Sequence, residues 1–289
     1  MRKMMAIGVF LGAFFFGCTT VFAVSSSTAE IIIFPEKIIQ GEPFMATIKG
    51  LSGASLVRSV TFAGKKQNII VYKGMSRTLV AIDLNKKAGS YVLSAVLRDG
   101  TKIEKTVIVE ERKKIEEPFS IPAKLGGNTV ASQKKLVTTL SSENDILAGL
   151  KTGSKSFWLE PFRYPLDTIF ITDEYGYSRK TGEYSIAHKG VDFRAKVGTP
   201  VYAMNRGVVR IVKDFRNYGK TVVVDHGLGV MTFYMHLSKI YVQEGQLVLS
   251  GQRIAASGQT GYAESPHLHT TVRIDGISID PIKFIALFK

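Results

Sequence analysis

Short runs of β-branched and aromatic residues, separated by Gly, Pro and Asn, recur along most of the chain and limit the folds open to it. Near the start such runs are Ile31–Phe34, Phe44–Ile48 and Asn68–Tyr72. Two longer runs flank Asp99-Gly100. An Asp-Gly pair between two strands predicts a β-hairpin, because the turn needs positive φ. Strands at this spacing predict a small β-sandwich-like accessory domain over residues 28–112.

The second half of the chain repeats the pattern with more frequent glycine punctuation. Strand-like runs occupy residues 198–203, 207–212, 221–225 and 230–234. We expect an antiparallel β-sheet domain over residues 158–289, with its functional site built from strand ends and loops. The predicted fold class is therefore mainly β.

Between the two β regions, residues 113–157 read as a linker. Pro118 and Pro122 interrupt a charged stretch there, and a helical leucine spacing follows over Ser132–Leu150. We expect this helix to pack between the two β domains.

The N-terminus has the pattern of a secretory signal peptide. Arg2 and Lys3 precede an apolar run from Met4 to Cys18, and Ala23 ends a small-residue cleavage pattern, so residues 1–23 are assigned to the signal. A permanent membrane anchor and lipid attachment at Cys18 are the two alternatives. The prediction is an exported protein of the periplasm or cell envelope, with secretion as a further option.

The chain is basic, with 38 Lys and Arg against 24 Asp and Glu, a formal net charge of +14. A positive surface attracts polyanions over long range. For an exported protein we expect no nucleic-acid partner. Peripheral contact with an anionic envelope surface or wall polymer is one interpretation, and a solvated basic surface without a specific partner is the other.

All five histidines lie in the last 102 residues, and four of them fall in three short motifs. The motifs are His188-Lys189-Gly190-Val191-Asp192, Tyr234-Met235-His236-Leu237 and Pro266-His267-Leu268-His269. In a strand, residues i and i+2 point to the same face, so His267 and His269 project together. Gly190 leaves room between a histidine and a carboxylate. Imidazoles and one carboxylate, without cysteine, suit a catalytic zinc site with three protein ligands. Ligand type alone leaves iron and copper open.

At these motifs the sequence resembles the lysostaphin-like (LytM-type) zinc endopeptidases of bacterial peptidoglycan, from about Glu160 to Phe284. The shared stretches also include Gly198-Thr199-Pro200-Val201, Val224-Asp225-His226-Gly227 and Gly258-x-Thr260-Gly261. The resemblance implies that the metal ligands are His188, Asp192 and His269. It implies that His236 and His267 act as general base and transition-state stabiliser. The cofactor it implies is Zn²⁺, and the substrate is the peptide cross-link of peptidoglycan, either Gly-Gly bridges or D-Ala–diaminopimelate links.

Two alternatives use the same fold. One is a catalytically inactive wall-binding protein or amidase activator, and the other is a structural zinc module in the envelope. Tyr175 and Thr270 depart from the family pattern, and we expect them to affect groove shape and substrate preference rather than the metal. His226 is expected to make structural hydrogen bonds.

Overall fold

The computed structural model describes residues 29–289, so the predicted signal peptide and Cys18 lie outside the described residues. The structure confirms a mainly β chain with an antiparallel C-terminal sheet. Within residues 29–289, no helix combines the length and the apolar character needed to cross a bilayer.

The N-terminal region consists of two sheets that share one core. Its strands are β1 Glu30–Phe34, β2 Ile38–Ile39, β3 Pro43–Lys49, β4 Val57–Phe62, β5 Lys65–Gln67, β6 Ile70–Tyr72, β7 Met75–Ala81, β8 Gly89–Leu97 and β9 Lys102–Glu110, with a 3₁₀ turn at Ala54–Leu56. The sheet orders are β1-β3-β7-β6 and β2-β9-β8-β4-β5. Ile33 and Phe44 from the first sheet pack with Val60 and Leu93 from the second. This arrangement agrees with the expected sandwich.

The hairpin predicted around Asp99-Gly100 is confirmed. Strands β8 and β9 pair antiparallel along their length, and Gly100 in the connecting turn has a φ of 89°. The Asp99 carboxylate accepts a hydrogen bond of 2.9 Å from the backbone N–H of Thr101, which closes the turn.

The C-terminal region is built around one large antiparallel sheet. Its elements, with those of the linker, are β10 Glu116–Pro118, the 3₁₀ turn Ala123–Leu125, α1 Val130–Ala148, β11 Ile171–Asp173, β12 Ser178–Thr181, β13 Tyr184–Ala187, β14 Val191–Arg194, β15 Pro200–Tyr202, β16 Gly207–Phe215, β17 Gly219–Gly227, β18 Val230–Ile240, β19 Leu247–Val248, β20 Arg253–Ser257, β21 His267–Ile274, β22 Ile277–Ile279 and α2 Pro281–Ala286. The main path of the sheet runs β11-β14-β21-β18-β17-β16-β19, with β15, β20 and β22 attached to it. The domain boundaries at 28–112, 113–157 and 158–289 remain predictions.

Helix α1 lies on the C-terminal sheet, and not between the two β regions as the sequence suggested. It begins two residues before the predicted start, because the Thr129 hydroxyl accepts the backbone N–H of Ser132 as an N-cap. Leu147 packs with Phe233 of β18, and Leu136 packs with Tyr262 of a C-terminal loop. Helix α1 lies there because its buried leucines find apolar partners in the C-terminal region, on the sheet for Leu147 and in a loop for Leu136.

The linker also contains a strand that the charged sequence did not reveal. Strand β10 pairs parallel with β12 and extends the small sheet β10-β12-β13. The Glu264 carboxylate accepts a hydrogen bond of 2.7 Å from the backbone N–H of Ser120. The linker is therefore attached to the C-terminal region before the 3₁₀ turn, through β10 and Ser120, and after it, through helix α1.

The two β regions meet through aromatic side chains. The Trp158 ring lies 5.6 Å from the ring of Tyr72, which belongs to the N-terminal sheet, and 5.2 Å from that of Phe288. Such T-shaped and tilted contacts add to the burial of apolar area. One apolar cluster therefore continues from the N-terminal sheet into the C-terminal region.

We expect Trp158→Ala to lower the free energy of unfolding by about 3–5 kcal/mol, because Trp158 is 3% exposed and its loss opens this cluster. The control is Leu159→Ala, since Leu159 is 82% exposed and should change stability by less than about 0.5 kcal/mol. Urea unfolding of the full chain measures both. Equal losses in the two variants would contradict the assigned role of Trp158.

Candidate active site

Two paired strands bring the candidate metal ligands together. Strand β14 carries Asp192 and pairs antiparallel with β21, so that Asp192 lies directly opposite His269. His188 lies in the turn between β13 and β14, four residues before Asp192. All three side chains are buried.

The ligand atoms of these residues converge on one point. His188 Nε2 lies 3.2 Å from Asp192 Oδ1 and 3.1 Å from His269 Nδ1. His269 Nδ1 lies 2.6 Å from the same carboxylate oxygen. The three donor atoms form a group, all within 4.8 Å of one another, that could hold a metal ion.

The second nitrogen of each imidazole is held by an oxygen outside the group. The Nδ1 of His188 donates to the carbonyl oxygen of Glu174 at 2.8 Å, which leaves its Nε2 lone pair directed at the cluster. The Nε2 of His269 lies 3.0 Å from the Thr271 hydroxyl, which in turn donates to the carbonyl of Lys189. Such partners fix the tautomer and orientation of a metal-binding histidine.

Gly190 is needed for space, but beside His269 rather than between His188 and Asp192 as the sequence suggested. A Cβ atom at this position would collide with His269 Nε2 and would lie 2.6 Å from the carbonyl oxygen of Thr270. Any larger residue would therefore displace the imidazole of His269 from Asp192.

His236 and His267 lie beside the cluster. Their ring centroids are 4.8 Å apart, and the ring of His236 is 6.0 Å from that of His269. The Nδ1 atoms of His236 and His267 donate to the carbonyl oxygens of Thr260 and Ser265, each at 2.8 Å. Their Nε2 atoms are therefore available for proton transfer.

The Nε2 atom of His267 points into the site. It is buried, has no hydrogen-bond partner among the described residues, and lies 3.8 Å from Asp192 Oδ1. A buried polar atom without a partner is uncommon, and this one is free to bind a group from outside the chain.

The backbone of His236 is strained. Its φ is 58°, in the left-handed region that residues with a Cβ rarely adopt, and it lies within β18. Its backbone N–H donates to the carbonyl oxygen of Tyr218 at 2.9 Å. Strain of this kind is concentrated at functional sites, where the surrounding structure enforces it.

Burial and neighbouring side chains together set the protonation states in the site. Burial lowers the pKa of His269 to about 4, even though Asp192 opposes the shift. Burial also lowers the pKa of His236 well below its ordinary value, and the neighbouring His267 and His269 add to the effect. Burial alone would raise the pKa of Asp192, but His188 and His269 hold it well below its usual range. Neutral imidazoles and an ionised carboxylate are the forms that bind metal ions.

Arg179 is a site residue that the sequence analysis missed. Its Nη2 atom contacts the Oδ2 atoms of both Asp192 and Asp173. Burial lowers the pKa of Arg179, but the two carboxylates outweigh that effect and raise it. The second oxygen of Asp192 is thus held by a cation while its Oδ1 faces the histidines. Arg179 lies outside the histidine motifs, on β12 of the small sheet β10-β12-β13, and only the tertiary structure brings it to Asp192 on the large sheet.

The remaining sequence-predicted residues lie elsewhere. Both nitrogens of His226 are hydrogen-bonded, to the Arg206 carbonyl and the Thr232 hydroxyl, each at 2.8 Å, as expected for a structural histidine. Thr270 does not border the groove as expected, because alternation along β21 turns it into the core. Tyr175 is also buried, and its hydroxyl donates to the Ser278 carbonyl at 2.8 Å.

A cavity of about 750 Å³ adjoins the site. One wall carries His188, His236 and His269, and the opposite wall is helix α1 with Leu136, Leu140 and Asn144, while Phe119 and Arg273 also border the space. The Glu143 carboxylate of α1 accepts backbone N–H groups of Asn217 at 2.9 Å and Tyr218 at 3.3 Å, which anchors the helix over the sheet.

The part of the chain that matches known proteins is the part that contains the candidate site. Residues 186–281 match the model of Peptidase family M23. Over 126 residues the chain is 39% identical to the peptidoglycan DD-endopeptidase ShyB of Vibrio cholerae, covering 42% of this chain and 29% of ShyB. Over 96 residues it is 45% identical to the peptidoglycan DD-endopeptidase ShyA of the same organism, covering 33% of this chain and 22% of ShyA. The match thus spans less than a third of the length of these relatives.

A solved structure resembles almost the whole chain. It is a protein from Pseudomonas aeruginosa assigned to peptidase M23, with a TM-score of 0.64 and 25% identity over 87% of this chain and 96% of that one. The residues that match peptidase family M23 include all five candidate site residues, which are His188, Asp192, His236, His267 and His269. Its buried His-Asp-His group is compatible with a metal ion.

We expect Arg179→Gln to weaken metal binding by about 10–100-fold, because Asp192 loses the partner that orients its carboxylate. The control is Arg163→Gln, which removes an exposed ion pair of 3.7 Å with Asp167 outside the site. Competition with a chromophoric chelator measures the affinities. Unchanged affinity in Arg179→Gln would rule out this positioning role.

Proposed function

We propose that the protein is a zinc-dependent endopeptidase that hydrolyses the peptide cross-links of bacterial peptidoglycan. The observation that carries this proposal is the convergence of His188, Asp192 and His269 on one point, with two further histidines beside it. The names of the relatives ShyA and ShyB supply the substrate class.

The residues present fit zinc. His188, Asp192 and His269 would bind it through two imidazole nitrogens and one carboxylate oxygen, the donor types of catalytic zinc sites with three protein ligands. A closed structural site would need a fourth ligand. The described residues bring three donor atoms into the group, and the side that faces the cavity is open to a reacting group.

When bound, zinc supplies Lewis acidity toward the peptide carbonyl and lowers the pKa of water toward about 7. His236 and His267 would perform the proton transfers. With each Nδ1–H donated to a carbonyl, each Nε2 carries a lone pair that can accept a proton from the attacking water. The protonated imidazole can then donate to the leaving amine. The second imidazole would stabilise the oxyanion by a hydrogen bond only in its protonated form, with a proton on Nε2.

The alternative of a catalytically inactive wall-binding protein or amidase activator is not favoured. Such a protein needs the fold but not the ligands, whereas this chain has all three ligands in register and both additional histidines.

The proposed location is the periplasm or the cell envelope. This rests on the signal-peptide pattern of residues 1–23, on the net charge of +14, and on the peptidoglycan substrates in the names of the relatives. A positive surface would favour approach to anionic envelope polymers.

We expect substitutions to separate metal ligands from proton-transfer groups. His188→Ala, Asp192→Ala and His269→Ala should lose both zinc and activity, because two protein ligands make a weak site. His236→Ala and His267→Ala should retain about one zinc per chain while turnover falls by about 10²–10⁴-fold. Metal analysis of the purified variants decides this. If His267→Ala lost zinc and His269→Ala kept it, the roles of these two residues would have to be exchanged.

We expect the purified protein to release soluble muropeptides from isolated sacculi. A chelator should abolish the release, and added Zn²⁺ should restore it. Mass analysis of products from sacculi of defined cross-link chemistry identifies the bond, either Gly-Gly or D-Ala–diaminopimelate. Binding to sacculi without any release, in zinc-loaded protein, would support the inactive wall-binding alternative instead.

A further inference from the structure

A guanidinium group borders the same cavity at a distance from the candidate ligands. Arg273 lies on β21, four residues after His269, and both side chains border the cavity. Residues i, i+2 and i+4 of a strand share one face, so His269, Thr271 and Arg273 form a row. The separation along the strand is about 13 Å.

Arg273 has only neutral partners. Its Nε donates to the Ser278 hydroxyl at 3.3 Å and its Nη2 to the side-chain oxygen of Asn144 at 3.5 Å, both long hydrogen bonds. The guanidinium carbon stacks over the Phe233 ring, 4.7 Å from its centroid. Among residues 29–289, no carboxylate lies within 4 Å of this guanidinium.

Three other partly buried arginines have carboxylate partners, whereas Arg77 and Arg216 have none among residues 29–289 and, unlike Arg273, do not border the cavity. Arg179 contacts two carboxylates, Arg210 lies 2.7 Å from Asp225, and Arg112 lies 3.4 Å from Glu42. Burial lowers the pKa of Arg273, with only Tyr218 opposing the shift. A partly desolvated charge without a counter-charge is unfavourable, and a bound anion would remove that cost.

The neighbouring side chains would support an anion at this place. The Asn144 oxygen accepts the Tyr218 hydroxyl at 2.9 Å, which orients the amide. The amide nitrogen of Asn144 has no acceptor among residues 29–289, so it remains a free donor on the cavity wall. The carboxylates of Asp83 and Asp145 also border the cavity, but neither pairs with Arg273.

We propose that Arg273 is a specificity subsite that binds a carboxylate of the substrate peptide through its planar guanidinium fork. This inference rests on the proposed endopeptidase function and names one chemical feature of the substrate. An extended peptide rises about 3.3–3.6 Å per residue. A separation of about 13 Å corresponds to about four residues, and to fewer if the arginine side chain reaches back toward the ligands. The recognised carboxylate would therefore lie about two to four residues from the scissile bond, on a branch or side chain.

The test uses the full-length, zinc-loaded chain and pairs of synthetic cross-linked peptides. The members of a pair differ only in one group, a free carboxylate or its primary amide, and three pairs place that group two, three or four residues from the scissile bond. For at least one pair we expect the wild type to cleave the acid with a kcat/KM about 10–100-fold above that of the amide, as charge-assisted hydrogen bonds provide. Arg273→Gln should reduce this preference to about two-fold or less, by losing rate on the acid alone.

The matched control is Arg253→Gln. Arg253 is exposed and also stacks on an aromatic ring, 4.7 Å from the centroid of Tyr241, but lies outside the cavity. It should keep the full preference. Arg273→Lys, which keeps the charge without the fork, should keep part of it. Thermal melting of each variant confirms folding, and Arg273→Lys decides the question if Arg273→Gln does not fold.

Two outcomes separate this inference from the proposed function. Equal cleavage of acid and amide by the wild type in all three pairs, or equal losses on both members in Arg273→Gln, would overturn the subsite while leaving the endopeptidase intact. Cleavage of no peptide would count against the endopeptidase. Calorimetric binding of the same peptides to the full-length, metal-free chain then tests the subsite alone. The subsite requires that the wild type bind an acid more tightly than its amide, and that Arg273→Gln abolish this difference.

Discussion

The pairing register between β14 and β21 is the constraint on which the site depends. It places Asp192 opposite His269, and the alternation of β21 buries Leu268 and Val272 in the core while the histidines face the cavity. A shift of one residue would turn the histidines into the core and the apolar residues out of it. The free energy of burying those apolar side chains therefore holds the ligand geometry in place, although they have no chemical role.

The loops are the second structural feature on which the site depends, because they determine which nitrogen of each imidazole is available. Carbonyl oxygens of Glu174, Thr260 and Ser265 each accept a hydrogen bond from one ring nitrogen, and the Thr271 hydroxyl contacts Nε2 of His269. These oxygens come from separate stretches of the chain. The lone pairs converge only when all of those stretches are folded, so the protonation pattern of the site is a property of the tertiary structure.

The sequence predicted those features that depend on local rules. The Asp-Gly hairpin and the common face of His267 and His269 follow from turn geometry and strand period, and both are present. The contact of Arg179 with Asp192 was not predictable, because it joins strands of two different sheets. Nor was the place of α1, since its leucine spacing specifies an apolar face but not the surface that covers it. The nitrogen that each histidine directs into the site depends on loop carbonyl groups. Every residue has a carbonyl group, so the order of side chains in the sequence does not predict these contacts.

The chemistry and the surroundings of the site come from different parts of the chain. The candidate ligands and proton-transfer residues lie within the matched residues 186–281, whereas Phe119 and helix α1, which form the opposite wall of the cavity, lie outside them. Arg273 connects the two parts, because it lies on the ligand-bearing strand β21 and contacts Asn144 of the helix. A change in the linker can therefore alter the shape of the cavity without moving a candidate ligand, since the candidate ligands are held by the register of β14 and β21.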